Sequence, residues 1–468
     1  MTVDASTKYW EPIRDSGFSC WTTQRLMLPV FHGPKHRADV NSRLIQDCVV
    51  SSYPSHSEQD AILPNATLRS DGRPTCLSRV SRLRVIIQYN CIPHYRRSIF
   101  ERLSLNSDVN FTLVTDSKPD TPFLEVVDLA SSAIRYRIAE TYRIKIPLLT
   151  ELFWQPRALS IIWQSKPDVV IALANPFSLT AWGIGLLCAL RGIPLLLWGH
   201  GLLGDERGPK WWLRRLFYRL GAGQLLYGQY AKQLLVAKGF DPDELYVIYN
   251  SLDYEAQRRM AEGISHDEAS AARSRLGVHF GEGLVVFTGR LQAVKRLDLL
   301  IRAIGILARR GKRIHVALMG EGAEQRNLAG LASNEGVADL IHFLGATYDE
   351  RQIGLIYRAS DLSVIPSGAG LSIMHAMVFG TPVLLHNHIP NHFPEWEAVE
   401  EGVTGFFYQH GDIEDLARKI ESAIYPIAAK TWMAAACEKV IRERYNPSHQ
   451  EAVFVRAVQE TVQRHQGR

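Results

Sequence analysis

The feature that most constrains this chain is an alternation of short apolar runs with helix-length segments, and it occurs twice. The first series of runs falls at 83–87, 109–114, 168–173, 194–198, 224–227 and 245–249; the second falls at 284–288, 314–319, 340–344, 361–365 and 382–385. The runs are too continuously Val-, Ile- and Leu-rich for strands wetted on one face. Strands of this kind alternating with helices imply a parallel sheet covered on both sides. In the second series, Leu297, Leu300, Ile301, Ile304 and Leu307 make one apolar helical stripe. Between the series, 252–281 is polar, rich in Ala, Glu and Ser, and without a strand signal, as an interdomain linker would be.

A chain of 468 residues also exceeds the size at which one core keeps growing. We therefore expect an α/β protein of two Rossmann-like, doubly wound domains, 82–262 and 263–445, facing each other across a cleft. A closing helix is expected over 446–468, where Val455, Val458 and Val462 recur at helical spacing. Residues 1–81 are rich in Ser, Pro, Asp and Arg with no sustained period, and read as an irregular or disordered extension. The stretch 116–165 resists assignment.

Composition removes several function classes. A net charge of +5 is too small to argue for nucleic acid, but it suits an anionic ligand or an anionic membrane surface. The six cysteines are scattered without metal or redox spacing, so free buried thiols are expected. No basic segment followed by an apolar one opens the chain, which points to a cytoplasmic location, and the triplets at Asn65 and Asn110 then match the glycosylation pattern by accident. The apolar stretch 182–198 is broken by Arg191, Gly192 and Pro194 into helix, turn and strand. One helix invites two readings. Over 210–220, Trp212, Leu213, Leu216, Phe217 and Leu220 share a face while Lys210, Arg214, Arg215 and Arg219 lie mostly elsewhere. Such a helix either packs on its own sheet or makes peripheral contact with the inner face of a membrane.

Three segments carry chemistry. Gly289-Arg290-Leu291 and Lys295 follow the 284–288 run, so a fork and a point charge project from the carboxyl edge of a strand, where parallel sheets bind ligands. They suit a diphosphate; solvated surface charges are the alternative. Gly320-Glu321-Gly322 follows the next run and fits a tight turn or close backbone approach to a ligand. Pro366-Ser367-Gly368-Ala369-Gly370-Leu371-Ser372 leads into a helix whose free N–H groups make an anion site. Ser367 and Ser372 equally fit helix caps. No Asp-x-Asp pair of the metal-binding kind stands out.

The order and spacing of VVFTGRLQAVKRLDLLIRAI, LMGEGAEQRNLAGLA, the segment from FLGATYDE to GTPVLLH, and EAVEEGVTGFFYQHGD over 283–420 resemble the donor domain of the family 4 glycosyltransferases. IPHYRRSIFERL, LLLWGHG and YNSLDY add a weaker likeness in the first half. The resemblance implies a GT-B fold and a retaining hexosyltransferase that moves a sugar from a nucleotide diphosphate-sugar to a saccharide or lipid-linked acceptor. It implies no separate cofactor, no metal and no nucleic-acid partner. It further implies that Arg290 and Lys295 hold the diphosphate, that Gly289, Glu321, Gly368, Ala369, Gly370, Leu371, Ser372 and His375 surround the donor, and that His200 reaches the transferred sugar. Tyr95 and Arg96 are expected on the acceptor side. Most members carry two glutamates eight positions apart; here those positions are Ser367 and His375. Glu395 and Glu397 offer a replacement carboxylate or an exposed loop. An epimerase or phosphorylase on the same fold, and a non-catalytic sugar-nucleotide binder, remain the competing readings.

Overall fold

The computed structural model describes residues 82–119, 125–145, 151–425 and 430–467. The expected extension at 1–81, with Cys20, Cys48, Cys76 and Asn65, lies outside them. The described cysteines, Cys91, Cys188 and Cys437, are buried and free.

The first alternation gives strands β1 (Leu83–Cys91), β2 (Val109–Asp116) and β3 (Tyr136–Ile138), then an antiparallel pair, β4 (Tyr142–Ile144) and β5 (Leu152–Trp154). It continues with β6 (Val169–Leu173), β7 (Leu195–Gly199), β8 (Gly223–Leu226) and β9 (Leu245–Val247). The second gives β10 (Gly283–Thr288), β11 (Ile314–Met319), β12 (Ile341–Gly345), β13 (Leu362–Val364), β14 (Val383–His386) and β15 (Gly405–Tyr408). The two large sheets run β3-β2-β1-β6-β7-β8-β9 and β12-β11-β10-β13-β14-β15, and their ladders are parallel. The order reverses at β1/β6 in one and at β10/β13 in the other. Each reversal opens a crevice beyond the carboxyl ends of the strands, the place where such sheets bind ligands.

The cores explain the strand texture. Val85, Ile87, Val169 and Ile171 are buried in the first lobe, as are Leu284, Val285, Val286 and Phe287 in the second. All five residues of the expected stripe on the helix Leu297–Arg309 are buried as well. Each such side chain contributes roughly 1.5–3 kcal/mol of burial free energy.

Two expectations change. The polar stretch after β9 is helical, Tyr254–Glu262 and His266–Arg275, the latter opened by a Ser265/Glu268 capping box. Tyr254, Ala261, Ile264, Ala269 and Ala272 belong to the second core, so the crossover precedes residue 254 rather than 262. Its polarity reflects narrow buried faces, not a linker. The closing helix Pro447–Gln466 returns to the first lobe, burying Val453, Phe454, Ala457 and Val458 there, with Phe454 edge-on to Trp198 at 4.9 Å. Val455 and Val462 are only half-buried on its flank. The unassigned 116–165 stretch holds β3, β4, β5 and the helix Pro156–Ser165.

The segment Phe393–Glu397 joins the lobes. Glu397 accepts hydrogen bonds from the Gln229 and Tyr230 amides, both at 2.7 Å, at the start of the first-lobe helix Gln229–Ala237. A carboxylate there meets both unpaired amides and the positive helix end. The approach requires glycine at 228, where an added Cβ would stand 2.3 Å from Glu397 Oε1. Glu395 is 2% exposed and accepts from Asn250 Nδ2 at 2.5 Å. Glu395 is thus an interior group at the chain crossover and Glu397 a half-buried joint between lobes, not parts of an exposed loop. We predict that Glu397→Ala and Gly228→Ala each destabilise the protein by about 2 kcal/mol through lost charge-assisted bonds. The double variant should lose little more than either single one in denaturant unfolding. Additive losses would show that the carboxylate does not cap that helix.

Candidate active site

The chain leaves β10 through Gly289 and runs beside the loop leaving β11. Leu291 N–H donates to Glu321 O at 2.9 Å and Glu324 N–H to Leu291 O at 3.1 Å. An added Cβ at Gly320 would stand 2.0 Å from Gly289 O, and one at Gly322 2.1 Å from Leu291 O. The Gly-x-Gly motif is therefore there to let two backbones touch. It seats the Arg290 loop, while the Glu321 side chain is exposed.

From that loop Lys295 reaches across the sheet reversal and donates from Nζ to Gly368 O at 2.7 Å. Gly368 lies at φ +63, a left-handed conformation natural to glycine. Burial, with Arg290 adding, pushes the Lys295 pKa down. An anion arriving beside Lys295 would offset both influences on its charge. Beyond Gly368, the helix Leu371–Val378 begins at Gly370 with no side chain capping it. Neither Ser367 nor Ser372 closes the helix end, so its first amides add partial positive charge beside Lys295. Ala369 itself is fully buried, and its N–H donates to His392 Nδ1 at 3.4 Å. It shapes the loop and offers no side chain to a donor.

The first lobe contributes His200, directly after β7. Its ring lies 5.0 Å from Tyr227 and 5.6 Å from Phe393 of the second lobe. Phe393 N–H donates to Ala369 O at 2.8 Å, and its ring lies 3.2 Å from where a Cβ would stand on Gly370. Phe393 thus stands between His200 and the glycine loop and touches both. Burial pushes its pKa down to about 4, with Arg96 and Arg214 adding, so its imidazole is neutral near pH 7.

Arg96 does not face an acceptor. It is 5% exposed, donates to the Tyr227 hydroxyl at 2.9 Å and lies over the Trp198 and Tyr227 rings. Burial alone would lower its pKa, but the neighbouring tyrosines and Glu395 raise it. Arg96 is an internal pin because the surrounding aromatics hold it; its sequence gave no sign of them. Tyr95 is half-buried and packs against the second core.

Glu350 was not legible beforehand. It opens the helix Glu350–Ala359, and its Oε2 lies 3.4 Å from His375 Nε2 and 3.2 Å from Gln257 Nε2. Although burial raises its pKa, His375, Gln257 and the first-lobe His94 outweigh that and lower it. A carboxylate thus stands beside the position where His375 replaces the family's second glutamate.

Behind the loop, His386, His388, His392 and His410 cluster, with the His386 and His392 rings 4.1 Å apart. Among the described residues no three His, Cys, Asp or Glu are placed to hold a metal ion. His392 Nε2 bonds the His386 carbonyl at 2.9 Å, which leaves Nδ1 to accept from Ala369. Burial pushes His386 down to about 3 and His392 to about 4, neighbouring imidazoles adding for both. Both rings are then neutral in the fold and protonate in the unfolded chain below about 6.5. Their contribution is fully present above that pH and is lost as pH falls toward 4. We predict a melting temperature that declines from pH 6.5 to 4.5, by a stability loss on the order of 3 kcal/mol. His392→Gln should flatten that decline; an unchanged slope would assign the acid sensitivity elsewhere.

Residues 105–256 match the Glycosyltransferase Family 4 model and residues 270–425 the Glycosyl transferases group 1 model, so each lobe is matched separately. D-inositol 3-phosphate glycosyltransferase from Mycobacterium sp. (strain KMS) is 30% identical over 200 residues, 42% of this chain and 42% of that protein. Its counterpart from Geodermatophilus obscurus is 34% identical over 212 residues, 42% of this chain and 43% of its own length. The aligned stretch thus spans about two fifths of these relatives. Among solved structures, HepE from Anabaena in complex with UDP superposes with a TM-score of 0.62 at 17% identity, covering 81% of this chain and 100% of that one. A glycosyltransferase from Rickettsia africae superposes with a TM-score of 0.63 at 13% identity, covering 82% and 99%. The architecture is that of the GT-B fold.

Proposed function

Since the chain belongs to the family 4 glycosyltransferases, we propose that it transfers a sugar, with retention, from a nucleotide diphosphate-sugar to a saccharide or lipid-linked acceptor. The observation that carries this reading is Lys295 seated on the Gly368 carbonyl beside an uncapped helix end at the β10/β13 reversal, with Arg290 near enough to act on its charge and His200 approaching from the other lobe. HepE, of the same fold, is in complex with UDP in its crystal structure, which supports a nucleoside diphosphate as the ligand class.

In the proposed reaction the acceptor hydroxyl attacks the anomeric carbon on the face the leaving diphosphate departs from. The sugar–phosphate C–O bond breaks, and the leaving phosphate oxygen takes the acceptor proton. Charge grows on that oxygen in the transition state, where Arg290, Lys295 and the helix amides are already oriented. No protein base is required. A neutral His200 donates or accepts one hydrogen bond to the sugar without placing a competing cation there. Glu350 is the carboxylate for the nucleoside: both of its contacts fall on Oε2, which leaves Oε1 to accept from a ribose hydroxyl. Such a carboxylate would take over the ribose contact at the position that His375 occupies.

UDP, GDP and ADP should be compared by thermal shift. At least one is expected to raise the melting temperature, and Arg290→Ala with Lys295→Ala should abolish the rise. Each lost charge-assisted contact costs on the order of 1.5–3 kcal/mol. A shift retained by the double variant would put the diphosphate elsewhere. Glu350→Gln should weaken nucleotide binding about tenfold at an unchanged apo melting temperature. Equal affinity would remove Glu350 from the donor site.

A further inference from the structure

The helix Gly208–Tyr218 has two apolar faces, not the one its sequence suggested. Phe217 and Tyr218 point inward and are buried, but Trp212 is 66% exposed, Leu216 45% and Leu213 38%. Arg214, expected on the solvent side, is buried instead and grips Glu206 through Nε at 2.7 Å and Nη2 at 3.1 Å. The neighbouring helix Leu179–Arg191 has no charged residue before its last position, and it leaves Leu186 59% and Leu190 84% exposed. The two elements meet along one seam: the Trp182 and Phe217 rings are 5.1 Å apart, and a Cβ on Gly185 would touch Leu220. Exposed apolar side chains therefore flank both sides of that seam.

Charge marks the same region. Residues 169–240 contain eight basic and two acidic residues, a net of +6, while the whole chain carries +5. Within that region, residues 205–219 hold five basic and two acidic residues, so the excess of positive charge sits on the apolar helix and its approach. Arg207, Lys210 and Arg219 are exposed along or next to the apolar helix, Arg207 paired with Asp205 at 2.7 Å and Lys210 with Glu206 at 3.2 Å. A second copy would set like charge against like, and an uncharged surface would leave the cations without a counterpart. The added excess of cations fits a surface that is apolar beneath and anionic at its face. No described helix is long and apolar enough to cross a membrane, so the contact is one of docking.

We propose that the exposed face of helices Leu179–Arg191 and Gly208–Tyr218 docks on an anionic lipid bilayer, Trp212, Leu216, Leu186 and Leu190 entering the headgroup region and Lys210 and Arg219 meeting lipid phosphates. The inference stands on exposure and charge alone and is independent of the proposed reaction.

Flotation with vesicles of phosphatidylglycerol and phosphatidylcholine, against phosphatidylcholine alone, tests it on the full chain. The protein should float with the anionic vesicles, and raising salt should weaken the association. Trp212→Ser with Leu216→Ser should cut the partition coefficient at least tenfold, as should Lys210→Gln with Arg219→Glu. Both pairs lie at the surface, so their melting temperatures serve as the folding control. Failure of the parent protein to float, or variants that float equally, would overturn the proposal. So would sedimentation showing a dimer that the Trp212/Leu216 variant dissociates, because the face would then bind a second copy.

Discussion

The candidate site depends on the carboxyl edges of two separate sheets facing each other, and a few buried or half-buried polar joints hold them so. Glu397 closes the amide end of a first-lobe helix, Glu395 takes the Asn250 amide, and Gln450 Nε2 reaches the Tyr249 carbonyl at 2.8 Å. Removing one partner would leave a buried charge or amide unsatisfied, so such joints specify geometry more strongly than they add net stability. All three lie beside the chain crossings near 250 and 446. The same short segment that carries Glu395 and Glu397 begins with Phe393, whose ring touches His200 and whose amide fixes the Ala369 carbonyl. Lobe alignment and loop shape therefore cannot vary independently.

This dependence explains which parts were legible in the sequence. Strands buried on both faces announce themselves by composition, and the large sheets were readable for that reason. The short edge strand β3 and the β4/β5 pair are half wet and polar, with Arg137 and Arg143 inside them, so no run stands out. Arg290, Lys295 and the glycine loop could be nominated as a candidate site because they lie within a few residues of a strand end. Glu350 was not, since it approaches His375 from a helix start 25 residues away, and nothing local distinguishes it from a surface cap. Arg96 failed in the opposite direction. A basic residue after a strand looks like a ligand contact, and only the distant Trp198 and Tyr227 make it an internal pin.

The Gly-x-Gly and Gly-x-Gly-Leu segments show how one residue type answers two constraints. At Gly320 and Gly322 the absent side chain admits the neighbouring loop's backbone. At Gly368 it permits the left-handed turn that aims a carbonyl at Lys295. None of the three glycines needs a ligand to account for it, yet together they shape the loops that carry the cations. A diphosphate site can thus be rigid before any diphosphate arrives, and in such a site little reorganisation remains for the moment of reaction.

Geometry also ties the proposed membrane face to the proposed chemistry. Seven residues separate His200 from Gly208, where the basic helix begins. That short connection is pinned twice: the Tyr218 hydroxyl bonds the Gly201 carbonyl at 3.2 Å, and Glu206 is held by Arg214. It also lies near the second lobe, where an added Cβ on Gly204 would stand 3.4 Å from Pro390. A helix resting on a lipid surface would therefore hold His200 at a fixed reach from that surface. An acceptor anchored in the same bilayer would have its head restricted to a thin layer beside the cleft. Confinement of this kind raises effective concentration without any new contact to the acceptor. It would also explain how an enzyme can work with few recognisable acceptor-binding side chains, Arg96 being occupied within the fold.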